Sequence, residues 1–455
     1  MKLERVLGLS SALCFSAMPL AGQETNQVEQ LKKQLQQLKE NYEKSQQEQR
    51  EQIDALKRQI DALAQSQTKA PVGESKGWSP SQPITLGRAG SAYMNISFDA
   101  LMDVGGSTAR DPSAQLQLGD HDPIQRGFSL RNAEIALDGA VDPYFKGFAN
   151  IVFKLEKDQS TEVELEETYL QSVALPANLQ LKAGQFFANF GRQNPQHPHT
   201  WAFVDQPLVL NRAFGPEGLR NIGGQLSWLL PTPFYAEAFL GVFNGQGGTA
   251  FSFRNPDENH GRTSLDRGLR DPGDLLYVPR LASSFDLTDQ QTLVLGTSAG
   301  FAPNNTGPYS RTEIYGADAY WKWKSPKAME GFPFVSVQAE ALYERYGAGE
   351  DVTAGLPSEN LRDWGFYLQS LWGFKPHWVT GLRGEFVTGN DGAFDASDVF
   401  RGERTRISPN LTWYPSEFSK IRLQYNYDHG ELFGDEHSVW MQFEFLLGAH
   451  AAHKF

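Results

Sequence analysis

The feature that most constrains this chain is a two-residue alternation of apolar and polar side chains that recurs from residue 91 onward. In the last stretch, Val439, Met441 and Phe443 share one parity, whereas Gln442 and Glu444 share the other. Successive side chains of a β-strand point to opposite faces, so the pattern predicts strands with one apolar and one polar face. Equivalent stretches begin near Met94, Phe145, Tyr277, Val335 and Ile421. A β-sandwich would alternate in the same way, so the connections must separate the two architectures.

The connections between these stretches alternate in length along the chain. Short turns are expected at 142–143, 176–178, 231–233, 288–290, 375–377 and 416–418. Longer polar connections lie between them, at 105–127, 191–221, 245–274, 303–311, 346–361, 388–403 and 428–437. Short periplasmic turns and long outer loops are typical of outer-membrane barrels. We therefore predict an all-β fold over residues 91–455, a transmembrane antiparallel β-barrel of about 16 strands whose closing strand ends on the aromatic Phe455.

The first 90 residues have a different character. Residues 1–22 combine Lys2 and Arg5 with an apolar run and small residues, which predicts a secretory signal peptide. Residues 23–66 contain no Gly or Pro, and their apolar residues fall at spacings of three and four, which predicts an α-helical coiled coil in the periplasm. A lone solvated helix is the alternative. Residues 67–90 are rich in Pro, Gly and Ser and predict a linker.

Composition and charge exclude several functions. The formal net charge of −13 argues against a nucleic-acid partner. The only cysteine is Cys14, inside the predicted signal peptide, so the mature chain is expected to have neither a disulfide nor a thiolate metal site. No sequence spacing pairs a histidine with a serine nucleophile. We therefore expect no enzyme activity, and zinc is the one cofactor for which the sequence offers candidate ligands.

The long connection 191–221 carries those ligands. We assign it the place of the loop that, in general porins, folds into the lumen and narrows it. Its residues His197 and His199 have a spacing that allows them to share a metal ion, with Asp205 as a third ligand. The alternative is that all three are polar residues at a wet loop surface.

Charged residues with inward parity are the candidates for lining a pore. They are Arg212 and Arg220 in the loop 191–221, and Arg280, Arg383, Arg406, Arg422, Glu385 and Glu444 on the predicted strands. The last three arginines of this set lie on successive strands and form a basic group in a chain that is acidic overall. Because both signs of charge are present, the preference for anions or cations stays open.

Several motifs resemble the phosphate-selective porin family of the O and P type. They are Gly-Phe-Ser-Leu-Arg-Asn-Ala-Glu at 127–134, Leu-Asp-Gly at 137–139, Pro-Tyr-Phe-Lys-Gly at 143–147, Leu-Glu-Glu-Thr-Tyr-Leu at 165–170 and Leu-Lys-Ala-Gly-Gln-Phe at 181–186. The resemblance implies a trimer of 16-stranded pores. A second set of residues, 194–201, 203–205 and 448–453, resembles porin-like proteins described as zinc-regulated outer-membrane receptors.

Together these features predict a porin of the outer membrane that lets small hydrophilic solutes or ions diffuse down their gradient. Its expected partners are membrane lipid, the solutes themselves and other copies of the chain in a homotrimer. The alternative is an outer-membrane protein for binding or uptake of zinc or a metal complex, with the coiled coil as a periplasmic tether. A purely structural role for the coil, as a link to the cell wall, is a third hypothesis.

Overall fold

The computed structural model describes residues 83–448, except 174, 258, 266–267 and 395–399, and in addition the single residue Gln36. The predicted signal peptide lies outside the described residues. The predicted coiled coil also lies outside them, apart from Gln36, which is helical. The terminal Phe455 is likewise outside them, so its predicted role in closing the barrel stays a prediction.

Seventeen strands form one antiparallel sheet in the described part of the chain. The strands from β2 to β17 pair in chain order, and β17 closes the ring by pairing with β2. The strands are β1 (Ile84–Ala89), β2 (Ala92–Ser107), β3 (Gly127–Ala140), β4 (Phe145–Leu155), β5 (Thr161–Ser172), β6 (Leu179–Phe187), β7 (Arg220–Leu229), β8 (Tyr235–Phe243), β9 (Leu276–Thr288), β10 (Gln291–Pro303), β11 (Arg311–Met329), β12 (Phe332–Ala348), β13 (Glu359–Lys375), β14 (Trp378–Gly389), β15 (Arg404–Ser416), β16 (Ser419–Gly430) and β17 (Gly434–Leu447). The predicted closed antiparallel barrel of about 16 strands is confirmed.

The two-residue alternation distributes the side chains between the outside and the inside of the barrel. On β16, Leu423 is exposed on the outside, whereas Arg422 and Gln424 are buried inside. Exposed apolar residues of the outer face include Leu295, Tyr315, Trp364, Leu368, Leu382, Ile407, Val439 and Phe445. An apolar outside and a polar inside allow a barrel to satisfy its backbone internally while facing lipid.

The connections also follow the predicted rhythm. Those at one end of the barrel are short turns, at 90–91, 141–144, 173–178, 230–234, 289–290, 330–331, 376–377 and 417–418. Those at the other end are 108–126, 156–160, 188–219, 244–275, 304–310, 349–358, 390–403 and 431–433. The last of these is shorter than predicted, because β16 and β17 continue their ladder as far as the pair Gly430 and Gly434.

Strand β1 corrects the predicted boundary between linker and barrel. It lies within 67–90, which the sequence predicts to be a linker, and it pairs with the first residues of β2. Strand β17 pairs with the later residues of β2, from Phe98 to Ser107. Because β3 occupies the other edge of β2, β1 and β17 follow one another along the same edge. The sheet therefore begins before residue 91.

Helices in the described residues are short and lie in the connections. They are α1 (Pro112–Gln115) and α2 (Leu208–Phe214), with 3₁₀ turns at Pro176–Asn178, Pro198–Thr200, Gly248–Ala250 and Pro272–Asp274. Among the described residues, none of these helices has the length and apolar character needed to cross a membrane. All residues of α2 are buried, and its Leu208 and Phe214 belong to an apolar cluster with Ile314, Leu342 and Val387 of the barrel wall. This packing places α2 inside the barrel.

Candidate functional site

The inward loop, residues 188–219, connects β6 to β7 and lies inside the barrel. Its entry depends on Gly191, which has a φ of 62° and whose Cβ, in any other residue, would collide with the Glu340 carboxylate on β12. The backbone N–H of Gly191 donates to Ser298 Oγ on β10 at 3.0 Å. The N–H of Gln193 donates to Glu340 Oε1 at 2.6 Å. The loop is therefore attached to the wall as soon as it leaves β6.

The inward faces of β14, β15 and β16 form the first charged surface that meets this loop. This basic wall carries Arg383, Arg404, Arg406, Lys420 and Arg422, all buried. The loop residue Asp205 supplies the opposite charge, since Arg383 and Arg406 both pair with its carboxylate. Gln424 and Asn426 donate to the same carboxylate at 2.8 Å each. Side chains from three strands thus hold one loop carboxylate.

The basic wall also binds the backbone of the loop. Lys420 Nζ donates to the carbonyl of His199 at 2.6 Å, and Arg422 Nη2 donates to the carbonyl of Trp201 at 2.8 Å. Charged donors make stronger hydrogen bonds than neutral ones, particularly where water is excluded. The segment from residue 199 to 205 is therefore fixed at both its backbone and its side chains.

The inward faces of β2, β3 and β5 form the second charged surface. This acidic wall carries Asp99, Asp103, Glu134, Glu164, Glu166 and Glu167. The two loop histidines face it: His199 Nδ1 is 2.7 Å from Asp99 Oδ2, and His197 Nδ1 is 2.8 Å from Glu166 Oε2. The two imidazole rings stack with centroids 5.7 Å apart and an interplanar angle of 21°. The loop thus presents imidazoles to the carboxylates of this wall.

A β-bulge explains why two consecutive glutamates reach the same interior. In the ladder of β4 and β5, Asn150 pairs with Glu167 and Ile151 pairs with Leu165, which leaves Glu166 as the extra residue. Both glutamates are buried on the inside. A strict two-residue period puts one of them outside, so sequence reasoning missed this pair. The double-glutamate motif itself was the only available signal.

The acidic wall determines the charge of the histidines. Burial lowers the pKa of His199, but the nearby Asp99 and Glu134 outweigh it and raise that pKa to about 10. The same competition between burial and the Glu166 carboxylate holds the pKa of His197 well above its ordinary value. Both imidazoles are therefore cationic at neutral pH when only protons are available to them.

The basic wall has the opposite effect on Asp205. Burial raises the pKa of this carboxyl, but Arg383 and Arg406 outweigh burial and lower the pKa to about 2. Asp205 is therefore ionised throughout the neutral and mildly acidic range. The loop consequently carries positive charge where it meets the acidic wall and negative charge where it meets the basic wall.

This arrangement corrects the predicted metal-ligand set. The structure brings His197 and His199 together, but both carboxylate oxygens of Asp205 accept hydrogen bonds from the basic wall. A carboxylate held by two arginines is not available to complete a site with the histidines. Their carboxylate neighbours come instead from β2, β3 and β5, which are distant in sequence, so loop spacing alone did not identify them.

The residues predicted to line a pore all lie inside the barrel or in its inward loop, and most are ion-paired. Arg383, Arg406 and Arg422 are each 1% exposed. Arg383 and Arg406 pair with Asp205, as described above. The remaining ion pairs are Arg212 with Asp363, Arg220 with Glu164 and Glu217, Arg280 with Asp318, Glu385 with Arg383, and Glu444 with Lys420. The inward loop covers the basic wall in this conformation, so a role in lining the open path stays a prediction.

The only serine in a Gly-x-Ser-x-Gly context among the described residues is Ser298, at 296–300. A nucleophile elbow needs a sharp turn from a strand into a helix. Ser298 instead lies within β10, where its Oγ accepts hydrogen bonds from the N–H of Gly191 and from Arg280. Its surroundings are those of a residue that positions the inward loop.

A closed barrel with a long loop folded into its interior defines the porin type of barrel. No family model matches the chain. It is 30% identical over 352 residues, covering 73% of this chain and 71% of the relative, to an uncharacterized protein of Aquifex aeolicus (strain VF5). The chain belongs to the same family as that protein.

Solved structures support the same architecture. The outer-membrane channel DcaP of Acinetobacter baumannii superposes with a TM-score of 0.53 at 11% identity, covering 78% of this chain and 98% of that one. An anion-selective porin from Comamonas acidovorans superposes with a TM-score of 0.50 at 8% identity, covering 78% of this chain and all of the other. At such low identity these likenesses describe the fold alone.

Proposed function

We propose that this protein is an outer-membrane porin, a passive diffusion channel for small hydrophilic solutes or ions, in which the inward loop forms the constriction. The observation that carries the proposal is the attachment of one interior loop to both the acidic and the basic wall of a closed barrel. The apolar outer face suits a membrane, and the charged interior suits an aqueous path. No energy source is required, because the solute moves down its own gradient.

The interior supports a path whose preference for anions or cations depends on the charged side chains around it. Charges inside a narrow channel with low-dielectric walls act at short range and are incompletely screened by salt. The acidic wall and the basic wall lie on either side of β17 and present opposite signs to a passing ion. The inward loop covers part of each wall, so its position sets both the width of the path and the charges that the solute meets.

We place the protein in the outer membrane, with the predicted coiled coil in the periplasm. The short turns then face the periplasm and the longer loops face outward, which is the usual orientation of these barrels. The solved structures of similar fold include the outer-membrane channel DcaP and an anion-selective porin, which supports this placement. We further propose a homotrimer, as the resemblance to phosphate-selective porins implies.

The experiment is a recording of purified, folded protein in planar lipid bilayers, paired with a swelling assay in liposomes that contain sugars of increasing size. A porin gives stepwise conductance and a size cutoff for the sugars. Folding is checked independently by the difference in gel migration between heated and unheated samples. Folded protein that inserts into the bilayer and gives no conductance above that of protein-free membranes would overturn the proposal.

A further inference from the structure

We propose that the inward loop and the acidic wall together bind one divalent transition-metal ion, with His197 and His199 from the loop and Glu134 from β3 as central ligands. The metal site itself rests on geometry and donor chemistry. Only its effect on the channel, which is to hold the loop against the wall, rests on the proposed function.

Glu134 Oε2 lies near a ring nitrogen of each histidine. Glu134 Oε2 lies 3.6 Å from His199 Nδ1 and 3.8 Å from His197 Nδ1. Zinc bonds to nitrogen and oxygen are about 2.0–2.1 Å long, so neighbouring ligand atoms of a tetrahedral site are about 3.3 Å apart. The two separations from Glu134 exceed that value by a few tenths of an ångström. The two histidines belong to separate ligand groups that share Glu134, so their rings must also move toward one another to bind the same ion.

A fourth ligand is available on either side of this group. Asp99 with Glu134 and His199, and Glu166 with Glu134 and His197, form two sets whose ligand atoms all lie within 4.8 Å of one another. Glu134 belongs to both sets. Imidazole nitrogens with carboxylate oxygens suit zinc and its neighbours in the first transition series, whereas calcium and magnesium prefer oxygen ligands alone.

A neighbouring carboxylate orients one histidine as in known metal centres. His197 Nε2 is 2.9 Å from Glu167 Oε2, while His197 Nδ1 faces Glu134 and Glu166. Metal-bound histidines commonly donate their second ring nitrogen to a carboxylate, which fixes the tautomer that leaves the first nitrogen for the metal. The other oxygen of Glu167 accepts the backbone N–H of Phe187 at 3.0 Å, so this carboxylate is itself held in place.

Two buried oxygens at the same point have no hydrogen-bond partner among the described residues. They are Glu134 Oε1 and Asn150 Oδ1, whose residues are 3% and 0% exposed. Buried polar atoms without partners are uncommon and costly in native proteins. The amide nitrogen of Asn150 donates to Glu134 Oε2 at 3.0 Å and to Glu166 Oε2 at 2.7 Å, so it lies between the carboxylates where an ion would sit. Rotation of that amide would turn its unpartnered oxygen toward the ion.

An ion could reach this site from solvent. His197 has a side-chain exposure of 12%, so the site is not sealed from solvent. A bound ion would link the loop to β2, β3 and β5 through bonds that are stronger than the hydrogen bonds they replace.

The test is a zinc titration of the folded full-length protein in detergent by isothermal calorimetry, with cobalt absorption spectra as a second measure of ligand type. We expect one ion per chain, and at least a hundredfold weaker binding in the double variant His197→Gln and His199→Gln. The matched control is His429→Gln with His437→Gln, a pair on the strands next to the loop 431–433, which should bind zinc as the unmodified protein does.

Glu134→Gln keeps both histidines and provides a second test of the site if the double histidine variant does not fold. It should weaken zinc binding at least tenfold, and the difference in gel migration between heated and unheated samples shows whether the barrel still folds. Unmodified protein that binds no zinc or cobalt, or equal affinity in the unmodified and His197/His199 variants, would overturn the site. Channel and site fail separately: conductance without zinc binding refutes only the metal site, and zinc binding without conductance refutes only the channel.

Discussion

The acidic wall and the basic wall meet the same loop in different ways. The basic wall holds Asp205 with arginine side chains whose charge does not change at accessible pH. The acidic wall holds His197 and His199, whose charge depends on protons and, in our proposal, on a metal ion. One attachment is therefore permanent and the other is conditional.

Because of this difference, the position of the loop and the strength of its second attachment depend on different residues. The Asp205 contact fixes the position of the loop inside the barrel over the whole physiological pH range. The histidine contact provides a second attachment point that a ligand can strengthen. A loop with one permanent and one adjustable attachment can change how tightly it narrows the path without leaving the interior. The following predictions alter the two walls one at a time.

The largest effect is expected from reversing the basic wall. In the double variant Arg406→Glu and Arg422→Glu, the basic wall keeps Arg383, Arg404 and Lys420 but gains two carboxylates, so anions lose much of their favourable surface and the selectivity should shift towards cations. The measurement is the reversal potential in a salt gradient. Arg345→Glu with Arg362→Glu is the matched control, because this pair lies side by side on the outer face of β12 and β13 and should leave selectivity unchanged.

Substitution by glutamine provides a milder variant for the same test if the charge-reversed protein does not fold. Arg406→Gln with Arg422→Gln should shift the reversal potential in the same direction by a smaller amount. If a folded charge-reversed channel kept its original reversal potential, the basic wall would not face the path.

The next effect concerns the permanent attachment. Asp205→Asn removes the carboxylate between Arg383 and Arg406 and leaves two buried guanidinium groups with less compensation. We expect the free energy of unfolding to fall by about 3 kcal/mol and the channel to show larger and noisier conductance steps. Urea unfolding in lipid vesicles and single-channel recording provide the two measurements.

The exposed turn residue Asp289 supplies the control for that change. Asp289→Asn alters the net charge equally but should change neither quantity. A stable Asp205→Asn protein with unaltered conductance would contradict the role of Asp205 in fixing the loop.

A smaller effect is expected from acid. The pKa of Asp205 is lowered from 3.8 to about 2, so its stabilising contribution is complete above pH 3.8 and is lost as the pH falls through 2. The contribution corresponds to about 2 kcal/mol. This contact should therefore cause no change in conductance between pH 7 and 5. The free energies of unfolding of Asp205→Asn and of the unmodified protein should become equal only near pH 2. A convergence of the two proteins near pH 5 would contradict the strong pairing.

The smallest effect is expected at the edge of the acidic wall. Lys182 Nζ lies over the rings of Tyr169 and Phe186 and 3.8 Å from Glu167. Because Lys182 is partly exposed, Lys182→Met should lower the free energy of unfolding by about 0.5–1 kcal/mol. It should also make the channel slightly more cation-selective. A loss above about 2 kcal/mol in urea unfolding would contradict the weak contribution expected of a partly exposed pair.

Much of the barrel was predictable because its signal is local. The alternation at Arg422, Leu423 and Gln424 determines which side chains face inward, and the turn residues determine where strands end. The predicted linker failed at 84–89 because this short strand is stabilised by pairing with β2, and its sequence has little alternation of its own. Pairing between strands is a tertiary property that composition does not report.

The sequence by itself therefore determined the closed barrel, the inward parity of the arginines and the loop that enters the interior. Only the tertiary structure decided which charges meet. It placed Asp205 against Arg383 and Arg406, and it placed the histidines against carboxylates from strands far away in the chain. The physical reason is that a loop has no periodicity from which its contacts can be deduced, while bulges and ring closure set which inward side chains lie at the same height. Charge complementarity inside the barrel thus depends on the register of the strands, which is fixed only when the whole ring has formed.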